Sequence, residues 1–113
     1  MKDFSVYILH SAYLNRFYIG MSNNVLNRLD FHLNPSESRK FTAKANDWTI
    51  FLKIDNLSKI QAANIEKHIK SMKSKIYIQN LLKYPEIIEK LVIKFQLTNI
   101  SYFTHSFQIT LRT

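Results

Sequence analysis

The stretch FSVYILHSAYLNRFYIG, residues 4–20, decides the fold of this chain. Two runs rich in β-branched and aromatic residues, 4–9 and 16–21, flank a short polar connection, which predicts an antiparallel hairpin. Side chains alternate between the two faces of a strand, so Tyr7 and Tyr18 can share one face of this hairpin. The sequence therefore predicts two phenols side by side on a small sheet.

A helix and a third strand are predicted after the hairpin. Apolar residues at helical spacing indicate a helix over 23–33, with Ser22 or Asn23 as its N-cap. Residues 36–47 are polar and basic and predict a loop, with a short helical turn within it left open. Residues 48–54 predict a strand that ends in a turn at 55–57. The sheet is thus expected to have three strands.

The second half of the chain is predominantly helical in its pattern. Ser58 and Gln61 form a capping box before an apolar stripe that runs to about residue 73. A short helix is predicted over 75–84, and Pro85 suits the first position of another. Residues from 96 onward are aromatic and β-prone, which leaves a strand and a mobile tail both open. We expect an α/β fold of the α+β type, a three-stranded antiparallel sheet flanked by helices.

Composition limits the classes of function. The 113 residues carry a net charge of +8, which favours a polyanionic partner, either nucleic acid or an anionic membrane surface. The absence of cysteine excludes disulfides and thiol chemistry and fits a cytoplasmic location. We expect no signal peptide, because the apolar run at the N-terminus is short, is broken by His10 and is followed by no small-residue cleavage site. We expect no membrane span, because no stretch approaches the ~20 apolar residues that a span needs.

Five residues suit hydrolysis of a phosphodiester. Arg28 and His32 lie four positions apart and hence on one helix face. Glu66 is an acidic residue in a strongly basic helix, and Tyr7 and Tyr18 complete the set.

The order of these motifs resembles the GIY-YIG nuclease family. The segments that carry the resemblance are FSVYILHS, RFYIGMSNNVLNRLDFH, DWTIFLKIDNLSKIQAANIEKHIKSMKSK and IQNLL. Small stand-alone bacterial members are most similar in length. The resemblance implies a nuclease domain at residues 1–90, followed by a C-terminal extension of uncertain structure at 91–113.

The resemblance also implies roles for individual residues. Tyr7 and Tyr18 would lie near the attacking water and the scissile phosphate, Arg28 would bind the phosphate, and His32 would assist proton transfer. Glu66 would bind Mg²⁺ or Mn²⁺, since one carboxylate with waters and phosphate oxygens is an ordinary magnesium site.

Further contacts to nucleic acid are expected from Lys40, Lys67, Lys70 and Asn80, together with Arg28. Phe41 departs from the family pattern, because many of its closest members carry a tyrosine there. The lost hydroxyl puts the rate of catalysis in doubt more than the fold.

The expected function is therefore a metal-dependent endonuclease that acts on DNA, with repair, recombination and mobile-element roles open. We expect no membrane partner and no small-molecule cofactor, and the sequence leaves the oligomeric state open. A non-cleaving nucleic-acid-binding module is the alternative. A membrane-surface or protein-interaction domain ranks last, because it gives the tyrosines and Arg28 no common purpose.

Overall fold

The computed structural model describes residues 2–33 and 42–103, and for residues 97–103 it describes the backbone. Three strands form one antiparallel sheet, in which the first strand lies between the other two. Its elements are β1 (Phe4–Ser11), β2 (Arg16–Ser22), α1 (Val25–Leu33), a 3₁₀ turn (Thr42–Lys44), β3 (Thr49–Leu57), α2 (Lys59–Met72), α3 (Lys75–Lys83) and α4 (Pro85–Phe103). The predicted α+β architecture is confirmed.

The central strand β1 is covered on both faces, and this explains its continuous run of apolar side chains. On one face, Val6 and Ile8 join a core that includes Ile65, Leu81 and Leu91 of the three later helices. On the other face, a smaller cluster joins Tyr7 and Leu9 to α1 and to Trp48. The sheet is thus the middle layer of three.

The predicted sharing of faces along the hairpin is correct. Tyr7 pairs with Gly20 and Leu9 with Tyr18, so the two tyrosines lie on the same face, diagonally across the two strands. The hairpin turn is tied to the chain before β3, because the Asp47 carboxylate accepts hydrogen bonds from Ser11 Oγ at 2.6 Å and from the Tyr13 backbone N–H at 2.9 Å.

The prediction of a turn at residues 55–57 was wrong, because β3 continues to Leu57. Phe4 pairs with Leu57 and Val6 with Ile54, so β3 carries one extra residue there. Asn56 adopts a left-handed φ of 63°. The turn-forming sequence is therefore absorbed as a β-bulge, a feature that places an extra residue in a strand without ending it.

Two helix boundaries also differ from prediction. Asn24, rather than Ser22 or Asn23, caps α1, since its side-chain oxygen accepts a hydrogen bond from the Asn27 backbone N–H at 3.1 Å. Residues 96–103 continue α4 instead of forming a strand or a tail, and the rest of that prediction, residues 104–113, lies outside the described residues. Leu91, in the first half of α4, is buried in the main core.

The capping box of α2 is present as predicted: the Ser58 hydroxyl accepts from the Gln61 backbone N–H, and the Gln61 side chain accepts from the Ser58 backbone N–H. The Gln61 amide also donates to the Val92 carbonyl at 2.9 Å, which joins α2 to α4. The predicted boundary at residue 90 lies inside α4. The division into a domain and an extension stays a prediction.

Replacing Ile65 with alanine should destabilise the fold by about 2–5 kcal/mol, the usual cost of a large-to-small change in a core. Ile65 is fully buried, whereas Ile60 on the same helix is 63% exposed. Ile60→Ala is the matched control and should change the free energy of unfolding by less than about 0.5 kcal/mol. Urea denaturation checks both values, and equal effects of the two substitutions would contradict this account of the core.

Candidate active site

Gly20 makes room for the ring of Tyr7. A Cβ atom at position 20 would lie 2.5 Å from both Cζ and the hydroxyl oxygen of Tyr7, far inside van der Waals contact. The Tyr7 side chain therefore lies across the backbone of β2, where only glycine allows it to pass.

The Tyr7 hydroxyl is the first member of a buried hydrogen-bonded chain. Its oxygen lies 3.0 Å from His32 Nε2, and His32 Nδ1 lies 2.9 Å from the Thr42 hydroxyl. The Thr42 carbonyl in turn accepts a hydrogen bond from the Trp48 indole N–H at 3.0 Å. All four residues are at most 2% exposed. Since buried polar groups are stable only with partners, this chain fixes the ring of His32 in place.

This chain of hydrogen bonds is compatible with either neutral tautomer of His32. With the His32 proton on Nδ1, Tyr7 donates to Nε2 and His32 donates to Thr42. With the proton on Nε2, Thr42 donates to Nδ1 and His32 donates to the Tyr7 oxygen, which leaves the phenolic proton of Tyr7 available for another acceptor. The two tautomers therefore differ in whether Tyr7 or His32 donates the hydrogen bond between them.

Tyr18 and Arg28 form the more accessible part of this site. The Tyr18 ring lies 4.6 Å from that of His32 and 6.4 Å from that of Tyr7, measured between centroids. The Arg28 guanidinium lies 4.4 Å from the centre of the Phe31 ring on the same helix. Both Tyr18 and Arg28 are partly buried, whereas Tyr7 and His32 lie beneath them.

Burial raises the pKa of the Tyr7 phenol above its ordinary value of about 10. A hydrogen bond and the positive charge of Arg28 act in the opposite direction, and the charge of Glu66 adds to the rise. Loss of hydration outweighs the nearby cation because the ring is almost completely enclosed. Tyr7 is thus a neutral hydroxyl at physiological pH, and it acts as a hydrogen-bond donor or acceptor without charge.

Glu66 approaches the same site from the opposite layer. Its charge raises the pKa of the Tyr7 phenol, which places the α2 carboxylate within electrostatic reach of that ring. The Glu66 carboxylate lies 3.6 Å from the Lys70 ammonium one helical turn later and is 21% exposed. The structure therefore brings Tyr7, Tyr18, Arg28, His32 and Glu66 into one region.

A comparison with known families agrees with this geometry. The GIY-YIG catalytic domain matches residues 3–81, well over half of the chain. The chain belongs to the GIY-YIG family. No curated protein and no solved structure matches it significantly. The family consists of nucleases, which implies a nucleic-acid substrate and, as a rule for GIY-YIG enzymes, a divalent metal ion.

The donor set of this GIY-YIG site fits a metal ion only in part. Among the described residues, no three histidine or acidic side chains gather as metal ligands. Glu66 alone supplies a partly exposed carboxylate, a hard oxygen donor of the kind that Mg²⁺ prefers. Waters and phosphate oxygens of the substrate would have to complete the coordination, so Glu66 fits a metal that arrives with the substrate.

The remaining predicted contacts to nucleic acid are dispersed. Lys70 pairs with Glu66, whereas Lys67 is exposed and no contact within the described ranges ties it to the site. Asn80 lies on α3, where its backbone carbonyl accepts from the Tyr84 N–H at 2.7 Å. Lys40 and Phe41 lie outside the described residues.

Sequence reasoning missed Thr42 and Trp48. Both hold His32 in place through the buried chain, yet a threonine in a basic loop and a tryptophan before a strand carry no specific pattern. The one available signal was that a buried histidine needs a partner for each ring nitrogen. Thr42 is the partner for Nδ1.

In the part of the chain that the structure describes, no helix has both the length and the apolar character needed to cross a lipid bilayer.

The raised pKa of Tyr7 predicts a pH-dependent contribution to stability. A group whose pKa is higher in the folded state stabilises the fold fully below its unfolded pKa and loses that contribution as pH rises through the folded value. The stability of the parent minus that of Tyr7→Phe should be constant up to about pH 10 and fall above it. Urea denaturation between pH 8 and 11 measures this difference. Tyr77, whose pKa is also raised, is present in both proteins and cancels. A difference in stability that grows above pH 10 would contradict a Tyr7 pKa that is raised by burial.

Gly20→Ala should destabilise the fold by about 1–3 kcal/mol through overpacking against the Tyr7 ring. The same substitution should cost much less in a Tyr7→Leu background, because the ring that the new Cβ meets is absent. A double-mutant cycle in urea measures this coupling. Equal costs in the two backgrounds would show that position 20 tolerates alanine for reasons unrelated to Tyr7.

Proposed function

We propose that this GIY-YIG chain is a divalent-metal-dependent endonuclease that hydrolyses phosphodiester bonds in DNA. The observation that carries the proposal is the meeting of two tyrosines, a histidine, an arginine and the charge of Glu66 in one region of the sheet. These groups come from four separate elements, β1, β2, α1 and α2, and none of the core packing requires their polar atoms to converge.

Arg28 is suited to hold the scissile phosphate. Its guanidinium is a planar and permanently charged fork that can donate to two phosphate oxygens at once. The contact with the Phe31 ring restricts the side chain without neutralising it. Arg28 would therefore bind the phosphate and stabilise the charge that accumulates on its oxygens.

Tyr18, Tyr7 and His32 would act in two layers. Tyr18 is the more accessible phenol and would orient the water that attacks phosphorus. Tyr7 lies beneath it and, in the tautomer with a proton on His32 Nε2, has its own proton free for an acceptor at the site. His32 is 2% exposed, so it exchanges protons only through its neighbours and acts as a positioning residue. The reaction consumes one water, breaks the bond between phosphorus and the leaving 3′ oxygen, and transfers one proton to that oxygen.

Glu66 would hold the divalent ion, Mg²⁺ or Mn²⁺. When bound, the ion would supply positive charge to the phosphate and to the leaving oxygen. Lys70 would have to release Glu66. Their contact is 3.6 Å long and the Lys70 side chain is 52% exposed, so breaking it costs little.

The substrate that suits the chain best is DNA recognised by shape. A domain of this size has little surface with which to read a sequence of bases, whereas its charge of +8 favours contacts with phosphates. We therefore propose a structure-specific enzyme of repair or recombination. The lack of cysteine supports a reducing compartment such as the cytoplasm.

Glu66→Gln should reduce cleavage at least about a hundredfold, because the neutral amide is a poor ligand for a hard cation. The matched control is Glu89→Gln, which makes the same charge change at an exposed position of α4 and should leave cleavage near the parent rate. The measurement is nicking of supercoiled plasmid and of labelled branched or flapped DNA with Mg²⁺ or Mn²⁺. Thermal unfolding of each variant shows that the loss is not caused by unfolding.

Salt-sensitive binding of DNA by the parent without any cleavage would overturn the endonuclease proposal. It would select the non-cleaving binding module, the alternative that the same basic charge allows. Equal loss of cleavage in Glu66→Gln and Glu89→Gln would instead remove Glu66 from the proposed metal site.

A further inference from the structure

A second concave region lies beside the candidate active site, between β2 and the connection from α2 to α3. This groove has a volume of about 330 Å³ and is lined by Arg16, Phe17, Lys73, Ser74, Lys75 and Ile78. None of these residues belongs to the predicted catalytic or nucleic-acid-binding set. We call it the flanking groove.

The flanking groove is cationic and carries no compensating acid. Three of its six lining residues, Arg16, Lys73 and Lys75, are positively charged, and none is acidic. Within residues 2–33 and 42–103, no carboxylate forms an ion pair with any of the three. The Lys75 ammonium donates to the Asn15 carbonyl at 2.6 Å, which anchors this charge at the rim without neutralising it. A cluster of cations without acids fits an anionic ligand such as phosphate.

An aromatic surface lies next to these cations. The Phe17 ring lies 4.7 Å from that of His10 and 5.0 Å from that of Phe51, so the three strands each contribute one ring. Phe51 is available because β3 carries an extra residue between the pairs Ile8–Leu52 and Leu9–Ile50. All three rings are only half-buried. Cations beside partly exposed aromatic rings form the usual surface for a nucleic-acid strand whose bases are not paired.

Lys73 occupies a backbone position that disfavours lysine. It ends α2 in the left-handed conformation, with φ 48° and ψ 43°. Glycine is the common residue there, since a side chain raises the energy of that conformation. Among the residues that the structure describes, the other two non-glycine residues with positive φ are asparagines, which tolerate it, so Lys73 is the outlier. Such an outlier suggests that the side chain serves a function.

The flanking groove is continuous with the candidate active site. A neighbouring groove of about 260 Å³ is lined by Phe17, Tyr18, Ile19 and Lys70. Phe17 lines both grooves, and Tyr18 and Lys70 belong to the surroundings of Tyr7 and Glu66. A single strand can therefore run from the site at Tyr18 along the edge of β2.

We propose that the flanking groove binds an unpaired DNA segment next to the scissile phosphate. Arg16, Lys73 and Lys75 contact its phosphates, and Phe17 contacts a base. The inference rests on the proposed nuclease function and adds to it that the substrate has a single-stranded arm. A blunt duplex offers phosphates to the cations but no free base face to Phe17, so the groove prefers unpaired DNA.

The test measures binding in EDTA, so that it does not depend on cleavage. A fluorescein-labelled thymidine oligonucleotide and a blunt duplex of the same length are titrated with protein, and anisotropy gives Kd for each. Phe17→Leu keeps an apolar side chain but removes the ring. It should raise Kd for the oligonucleotide about fivefold or more and leave Kd for the duplex nearly unchanged.

Lys73→Gly gives an independent readout. It should raise Kd for the oligonucleotide roughly threefold. It should also make the negative slope of log K against log salt shallower by about 0.7, the value for one lost phosphate contact on a single strand. Its Tm should equal or exceed that of the parent, because glycine suits the left-handed position. The matched control, Lys90→Ala, removes the same charge from an exposed position outside both grooves and should leave Kd within twofold.

Parent-like binding of the oligonucleotide by both groove variants would overturn the inference, as would equal weakening by Lys90→Ala and Lys73→Gly. Failure of the parent to cleave any DNA would refute the proposed nuclease function and leave this binding result unaffected. Loss of cleavage in Glu66→Gln with parent-like binding in the groove variants would refute the flanking groove alone.

Discussion

The contact between the Tyr7 hydroxyl and His32 Nε2 is the interaction on which the rest of the site depends. It joins the central strand of the sheet to the first helix through two side chains that are almost entirely enclosed. It exists because Gly20, directly opposite Tyr7, has no side chain that would displace the ring. The backbone of one strand, the phenol of the next and the imidazole of a helix thus form one close-packed unit.

This unit separates the polar groups of the site into an inner and an outer set. Tyr7, His32 and Thr42 are buried and hold one another, whereas Tyr18, Arg28 and Glu66 lie nearer to the surface. Enclosure keeps the Tyr7 phenol neutral despite the adjacent guanidinium. The free energy lost by removing a charged phenolate from water exceeds the free energy gained by its attraction to Arg28. The inner set therefore contributes geometry and a path for protons, and the outer set contributes charge.

Much of this arrangement could be predicted from the sequence. The hairpin, the shared face of Tyr7 and Tyr18, and the capping box at Ser58 follow from local patterns of period and turn chemistry. The sequence also named the residues that the structure brings together from four elements, although only through the resemblance of their order to a nuclease family. It could not show that Tyr7 and His32 are buried, because burial depends on packing between layers.

What prediction missed has a common cause. The two bulges of β3 and the helical continuation through residue 103 each oppose a local preference. Asn56 in a left-handed conformation lets a turn-like sequence remain in the strand, and Leu91 secures α4 to the main core. Thr42 could not be found by pattern, since its role is defined only by its distance to His32.

Trp48 has a consequence for how this molecule can be observed. It is the only tryptophan of the chain, it is 1% exposed, and its indole donates to the carbonyl of Thr42, the residue that touches His32. Indole fluorescence changes with the polarity around the ring. The protein therefore contains an intrinsic fluorescent reporter two hydrogen bonds from His32. Its emission reports whether the inner set of Tyr7, His32 and Thr42 is intact, without any added label.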